Sequence, residues 1–186
     1  MKDLNQFKFR GKRGEKNLLI ITLYPVDYDN FLSRIALQNI DAIARDYDYD
    51  GWIISSICPL KDLRKLNSVQ FIHPVIIYYR ITMLKNLLSE KDINIRDVWL
   101  AWGDGVENEN RQYLKAAIGH LYGTLLEFDL RYWCISRTRR ANPRDASPET
   151  LRGIIPEIEP PTLVKFDFQH YVQRRELELK PRITIQ

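Results

Sequence analysis

Apolar residues return along this chain in two rhythms. Four short runs are almost wholly apolar, at 17–24, 52–58, 97–102 and 131–136. Unbroken runs of this length, rich in Ile, Leu, Val and Trp, predict strands buried on both faces, as parallel sheets have. Between them the period changes to that of a helix. In 31–45, Leu32, Ala36, Ile40 and Ile43 share one face, with Asp29 or Asn30 placed to cap the start. Residues 74–89 form a more apolar stretch that opens on Pro74, a residue suited to a first helical turn. Residues 107–128 carry the clearest stripe: Leu114, Ala117, Ile118, Leu121, Leu125 and Phe128. Four strands alternate with three helices. That order predicts an α/β fold, a three-layer α/β/α sandwich around a mainly parallel central sheet of four or more strands.

Residues 17–153 are expected to form this core. A basic arm, 1–16, precedes it, and a C-terminal extension, 154–186, follows and packs on it. Pro156, Pro160 and Pro161 stiffen the connector into that extension. Beyond them the pattern weakens: 171–179 reads as helix or strand, and 182–185 as an edge strand. A capped helical turn is expected over 147–150.

The chain has 186 residues, enough for one domain with a sizeable core. No apolar run is long enough to span a membrane, and the first residues contain no apolar leader. Cys58 and Cys134 both lie inside apolar runs, which favours buried free thiols over a disulfide and suggests a cytoplasmic home. Two cysteines and three scattered histidines give no metal site, and no motif asks for a cofactor. The net charge of +4 is modest. Its placement matters more, because the arm alone carries Lys2, Lys8, Arg10, Lys12, Arg13 and Lys16 against Asp3 and Glu15. A basic arm suits a nucleic acid; a basic terminus with no specific role is the plainer reading.

The candidate chemistry lies where the strands end, since ligands of open α/β sheets bind beyond the carboxyl edge. The fourth run leads into Arg137-Thr138-Arg139-Arg140-Ala141-Asn142-Pro143-Arg144-Asp145-Ala146. Its four guanidiniums favour a phosphate, which their planar forks grip two oxygens at a time. Read blandly, it is a solvated basic turn. The first run ends in Tyr24-Pro25-Val26-Asp27-Tyr28-Asp29, and the third in Trp102-Gly103-Asp104-Gly105. Asp27, Asp29 and Asp104 are placed to activate a water or hold a cation, or only to cap a helix and fill a turn. Tyr24, Tyr28 and Trp102 offer stacking faces for a base, or simply core packing. Gly103 and Gly105 match neither the dinucleotide fingerprint nor the P-loop.

At these strand ends the chain resembles a bacterial and phage family, domain of unknown function 1643. That family's first strand ends Leu-Asn-Pro-Ser-x-x-Asp; here Leu23, Pro25 and Asp29 are kept. Its second-strand motif Asn-Leu-Phe-Pro-Leu-Arg reads Ser56-Ile57-Cys58-Pro59-Leu60-Lys61. Its Ala-Trp-Gly stands intact as Ala101-Trp102-Gly103. Its last motif, Thr-x-x-Gly-x-Pro-Arg-His-Pro, reads from Thr138 to Ala146. The likeness covers roughly 17–146, and the family pattern is itself similar to the uracil-DNA glycosylase superfamily. It implies a cleft at the carboxyl edge that binds a nucleotide or a flipped base. Tyr24 stands where the family has Asn, and Asp145 where it has His. A carboxylate there repels a developing negative charge, so the resemblance implies a glycosylase-like domain with lost or altered chemistry.

Three readings follow. The first is a module binding a nucleotide or nucleic acid through Tyr24, Pro25, Ser56, Trp102, Gly103, Thr138, Arg139, Arg140, Asn142 and Arg144. The second is an enzyme acting on a nucleobase or nucleotide, with Asp27, Asp29 or Asp145 as general base. The third is an interaction protein without a nucleic-acid role, using the long apolar helix to form a homodimer or meet another protein.

Overall fold

The computed structural model describes residues 7–11, 16–25, 31–58, 74–107, 112–146 and 162–175. Six strands form one sheet: β1 (Phe7–Gly11), β2 (Asn17–Thr22), β3 (Gly51–Ser56), β4 (Ile95–Ala101), β5 (Arg131–Cys134) and β6 (Val164–Lys165). Their spatial order is β1-β3-β2-β4-β5-β6. The inner four run parallel, and each edge strand pairs antiparallel with its neighbour. The helices are α1 (Phe31–Asp46), α2 (Pro74–Ser89), α3 (Gln112–Leu125) and the short α4 (Phe168–Arg174).

The pleat explains the three layers. In β2, Leu18 and Ile20 point to one face, and Leu19 and Ile21 to the other. The first pair joins Trp52, Ile54, Trp99 and Ala101 in packing on Leu37, Ile40 and Ile43 of α1. The second joins Ile53, Val98 and Leu100 in packing on Leu84 and Leu87 of α2, Leu114 and Ile118 of α3, and Phe168 and Val172 of α4. Every residue of β2 and β3 is buried. Each such apolar side chain contributes about 1.5–3 kcal/mol of transfer free energy. The fold is therefore α/β with helices on both faces of a mainly parallel sheet.

Several boundaries differ from the sequence pattern. Within the basic arm, Phe7–Gly11 is an edge strand, in register with β3 from Phe7↔Ser55 to Gly11↔Gly51. The helix expected over 107–128 is observed as α3, Gln112–Leu125, and Glu107 ends a 3-10 turn that starts at Gly103. The ambiguous stretch from Tyr171 onward begins as helix, with Asp167 as its cap accepting from the His170 N–H at 2.8 Å. Through β6 and α4, residues 162–175 add to both sheet and core. Expectations for 1–6, 147–150, 154–161 and 182–185 fall outside the described residues.

Both cysteines are buried and free. Burial pushes the Cys134 thiol up to about 11. Among the described residues, no helix is long and apolar enough to cross a membrane.

Buried and half-buried tyrosines set an alkaline limit. Burial raises Tyr132 to about 12, and raises Tyr49 and Tyr171 as well. In the unfolded chain these phenols ionise near 10. Between about pH 10 and 12 the unfolded state therefore holds fewer protons than the folded one, and stability falls as pH rises. The contribution is whole below pH 10. Melting temperature should hold across neutral pH and drop through that window, together with the rise of tyrosinate absorbance. Ionisation of all ten tyrosines near pH 10 in a chain still folded would contradict the burial of these rings.

Candidate nucleic-acid interface

The parallel order reverses at β2: the chain moves to β3 on one side, then to β4 on the other. Ligands of such sheets favour the crevice at this reversal. Here that crevice is packed at its base. Gly105 lies so close to Leu23 that an added Cβ would collide with Leu23 Cδ2, and it would stand 3.4 Å from Tyr24 Oη. Tyr24 is half-buried and packs against the core; Pro25 is also half-buried.

The open space lies further along the edge, beyond β5. Residues 137–143 fold into a tight hairpin, closed by the Arg137↔Pro143 bridge. Thr138 organises it. Its carbonyl accepts from the Ala141 N–H at 2.9 Å, and its hydroxyl oxygen from the Arg140 and Asn142 N–H groups at 3.2 Å. The turn puts Arg139 and Arg140 at an exposed tip. Ala141 is forced to φ +62°, a left-handed conformation that costs a residue with a Cβ about 1–2 kcal/mol.

Below the tip lies a polar relay. Asn142 is 0% exposed. Its amide nitrogen donates to Asp104 Oδ1 at 2.8 Å and to Glu107 Oε1 at 3.2 Å. Its amide oxygen accepts from the Tyr171 hydroxyl at 2.7 Å. The Trp102 indole N–H donates in turn to Tyr171 Oη at 3.3 Å. Thr138 also donates to Asp104 Oδ1, at 2.5 Å. Glu107 pairs with Arg175 and, at 3.6 Å, with Lys115.

The hairpin and α4 form the walls of a cleft of about 290 Å³. Arg137, Arg139 and Arg140 line one wall; His170, Arg174 and Arg175 line the other. Phe166 and Tyr171 are at its base, each under a guanidinium: Arg137 lies 5.2 Å from the Phe166 centroid and Arg175 4.8 Å from that of Tyr171. Arg175 also donates to the Arg140 carbonyl, which ties the walls together. Burial lowers the Arg175 pKa, and the nearby Asp104 carboxylate acts against that shift. One carboxylate, Asp167, lines the cleft, and its Oδ1 is engaged in capping α4. Among the described residues, no carboxylate stands within ion-pair distance of Arg139, Arg140 or Arg174.

The residues singled out from the sequence have separate fates. Arg139 and Arg140 line the cleft. Thr138 and Asn142 build the hairpin that presents them. Arg144 is turned away, with its Nε donating to Ser136 Oγ at 3.1 Å. Trp102, read as a stacking face or as core packing, is 1% exposed and packs against Phe168 and Tyr171, so it is core. Gly103 takes φ +65° and donates its N–H to the Pro143 carbonyl at 2.8 Å. A Cβ there would meet Asp145 Oδ2 at 2.8 Å, so the third-strand and last motifs meet at this point. Ser56 is buried at another place, where its carbonyl and hydroxyl oxygens accept from the buried Arg80 guanidinium at 3.0 and 2.7 Å. Asp27 and Asp29 lie outside the described residues. His170, Arg174 and Arg175 were missed, since only the return of the chain through β6 brings them opposite the hairpin.

No protein-family model, curated protein or solved structure matches this chain.

Proposed function

We propose that this protein binds a nucleotide or nucleic acid by its phosphates, in the cleft between the 137–141 hairpin and α4. One observation carries the reading: five arginines and a histidine surround one concave site, and four of those arginines lack a carboxylate partner among the described residues. Holding like charges together is unfavourable unless an anion joins them. Arginine is also the side chain best shaped for phosphate.

The resemblance to the domain of unknown function 1643 family agrees with this reading at two points. The family's glycine falls at Ala141, where φ is positive. The motif positions Gly103 and Asp145 touch. Asp145 replaces the histidine that would support a leaving base, so the reading is of a glycosylase-like domain that binds rather than excises.

Fluorescence anisotropy with labelled oligonucleotides tests it. The native chain should bind at low salt, and Arg139→Ala/Arg140→Ala/Arg174→Ala should bind at least tenfold more weakly with an unchanged melting temperature. Equal binding by both proteins would reject the cleft.

A further inference from the structure

Resting on that reading, we infer that the cleft takes a single nucleic-acid strand rather than a duplex or a free nucleotide. The two basic walls enclose about 290 Å³. That leaves room between the walls for about one nucleotide unit of a strand at a time and not for the width of a duplex, and Arg175 ties the walls together through the Arg140 carbonyl. A B-form duplex holds its backbones apart across grooves about 6 and 12 Å wide. It cannot enter a cleft of that size, so its phosphates would meet the arginines from outside and not between the two walls. A single strand passing between the walls lets both sides neutralise successive phosphates.

The base of the cleft points the same way. Proteins that hold single strands stack bases on aromatic rings or guanidinium planes. Phe166 and Tyr171 are already covered by Arg137 and Arg175, so the flat surfaces left for a base are guanidinium planes. Such stacking tolerates any base. A mononucleotide would use one or two of the arginines and leave the others in mutual repulsion.

The test uses the full chain, a labelled thymidine homopolymer, the same oligomer annealed to its complement, and thymidine 5′-monophosphate as competitor. The part of each affinity lost in Arg139→Ala/Arg140→Ala/Arg174→Ala is the readout. The single strand should bind at least tenfold tighter than the duplex. Its log–log salt slope should be about −2 to −3.5, for three to five neutralised phosphates at about 0.7 each. The triple variant should flatten that slope by about 2. Duplex binding as tight as the single strand, equally sensitive to the variant, would overturn the inference and leave the phosphate-binding cleft standing. Competition by the monophosphate at the strand's own concentration would do the same in favour of a free nucleotide. Failure of every probe to bind at low salt would overturn both.

Discussion

Trp102→Ala is expected to destabilise the fold by about 3–5 kcal/mol and lower the melting temperature by roughly 10 °C. The indole is 1% exposed. Its ring meets Phe168 at 5.6 Å and Tyr171 at 5.8 Å, both on α4. Tyr122 of α3 and Tyr132 of β5 also pack on Phe168, at 4.9 and 5.2 Å. Removing the indole opens a cavity at the centre of this cluster, where α3, α4 and the sheet meet, and leaves the acceptor side of Tyr171 Oη without its donor. Trp102→Phe keeps most of the ring contact and loses the N–H bond, so about 1–2 kcal/mol is expected. Thermal and urea denaturation of the two variants separate the roles open to this residue. A normal melt with lost oligonucleotide binding in Trp102→Ala would mean that the indole is a stacking face, as its strand-end position suggests. A large loss of stability, graded from Ala to Phe, would mean that it anchors α4, which is one wall of the cleft.

The strands and long helices were legible because their burial is local. The runs around β2 and β3 are apolar on both faces, and α2 starts at Pro74, where the pattern places it. β4 begins at Ile95, earlier than the run at 97–102, because the exposed Arg96 interrupts the apolar pattern; Asp97, inside the run, is buried although polar. Its carboxylate accepts from Arg131 and Trp133 of the next strand, each at 2.7 Å. No pattern on one strand can announce a partner on another. β1 was hidden differently. The alternation Phe7-Lys8-Phe9-Arg10 has the strand period, but its lysine and arginine read first as part of a charged arm. In the site, the arginine hairpin was visible as composition, whereas the opposing wall was not. Arg174 and Arg175 follow a weak pattern, and only β5–β6 pairing carries them back to the hairpin. Aromatic strand-end residues carry the same ambiguity. Trp102 looks alike in sequence whether it faces a base or the core, and the helix packed over it decides.

Asn142 is the residue through which core and cleft are joined, and its substitutions should differ in a way that packing alone would not produce. Asp104 and Glu107 can only accept, so the amide nitrogen must face them, and the amide oxygen must face the Tyr171 hydroxyl. Donors then run in one direction: indole to phenol, phenol to amide, amide to two carboxylates. Asn142→Ala leaves the Tyr171 hydroxyl without its acceptor inside the protein, and a buried unsatisfied group costs about 1–3 kcal/mol. With the cavity added, a loss of about 2–4 kcal/mol is expected, and oligonucleotide affinity should fall about tenfold as the hairpin loses its anchor. Asn142→Asp is nearly isosteric, yet it should be the worse variant at neutral pH. It puts a third carboxylate against Asp104 and Glu107 and removes both amide donors, so a loss of about 3–5 kcal/mol is expected. Repulsion and burial raise the introduced carboxyl above its unfolded value of about 3.9. The folded state then binds more protons than the unfolded one above that pH, and stability falls as pH rises. Acidification from pH 7 toward 4 should therefore narrow the gap between Asn142→Asp and the native chain. It should leave the gap for Asn142→Ala nearly unchanged. Melting temperatures measured across that range read this directly: parallel curves for the two variants would show that no carboxylates surround residue 142, and the relay from Trp102 to the cleft would fail with them.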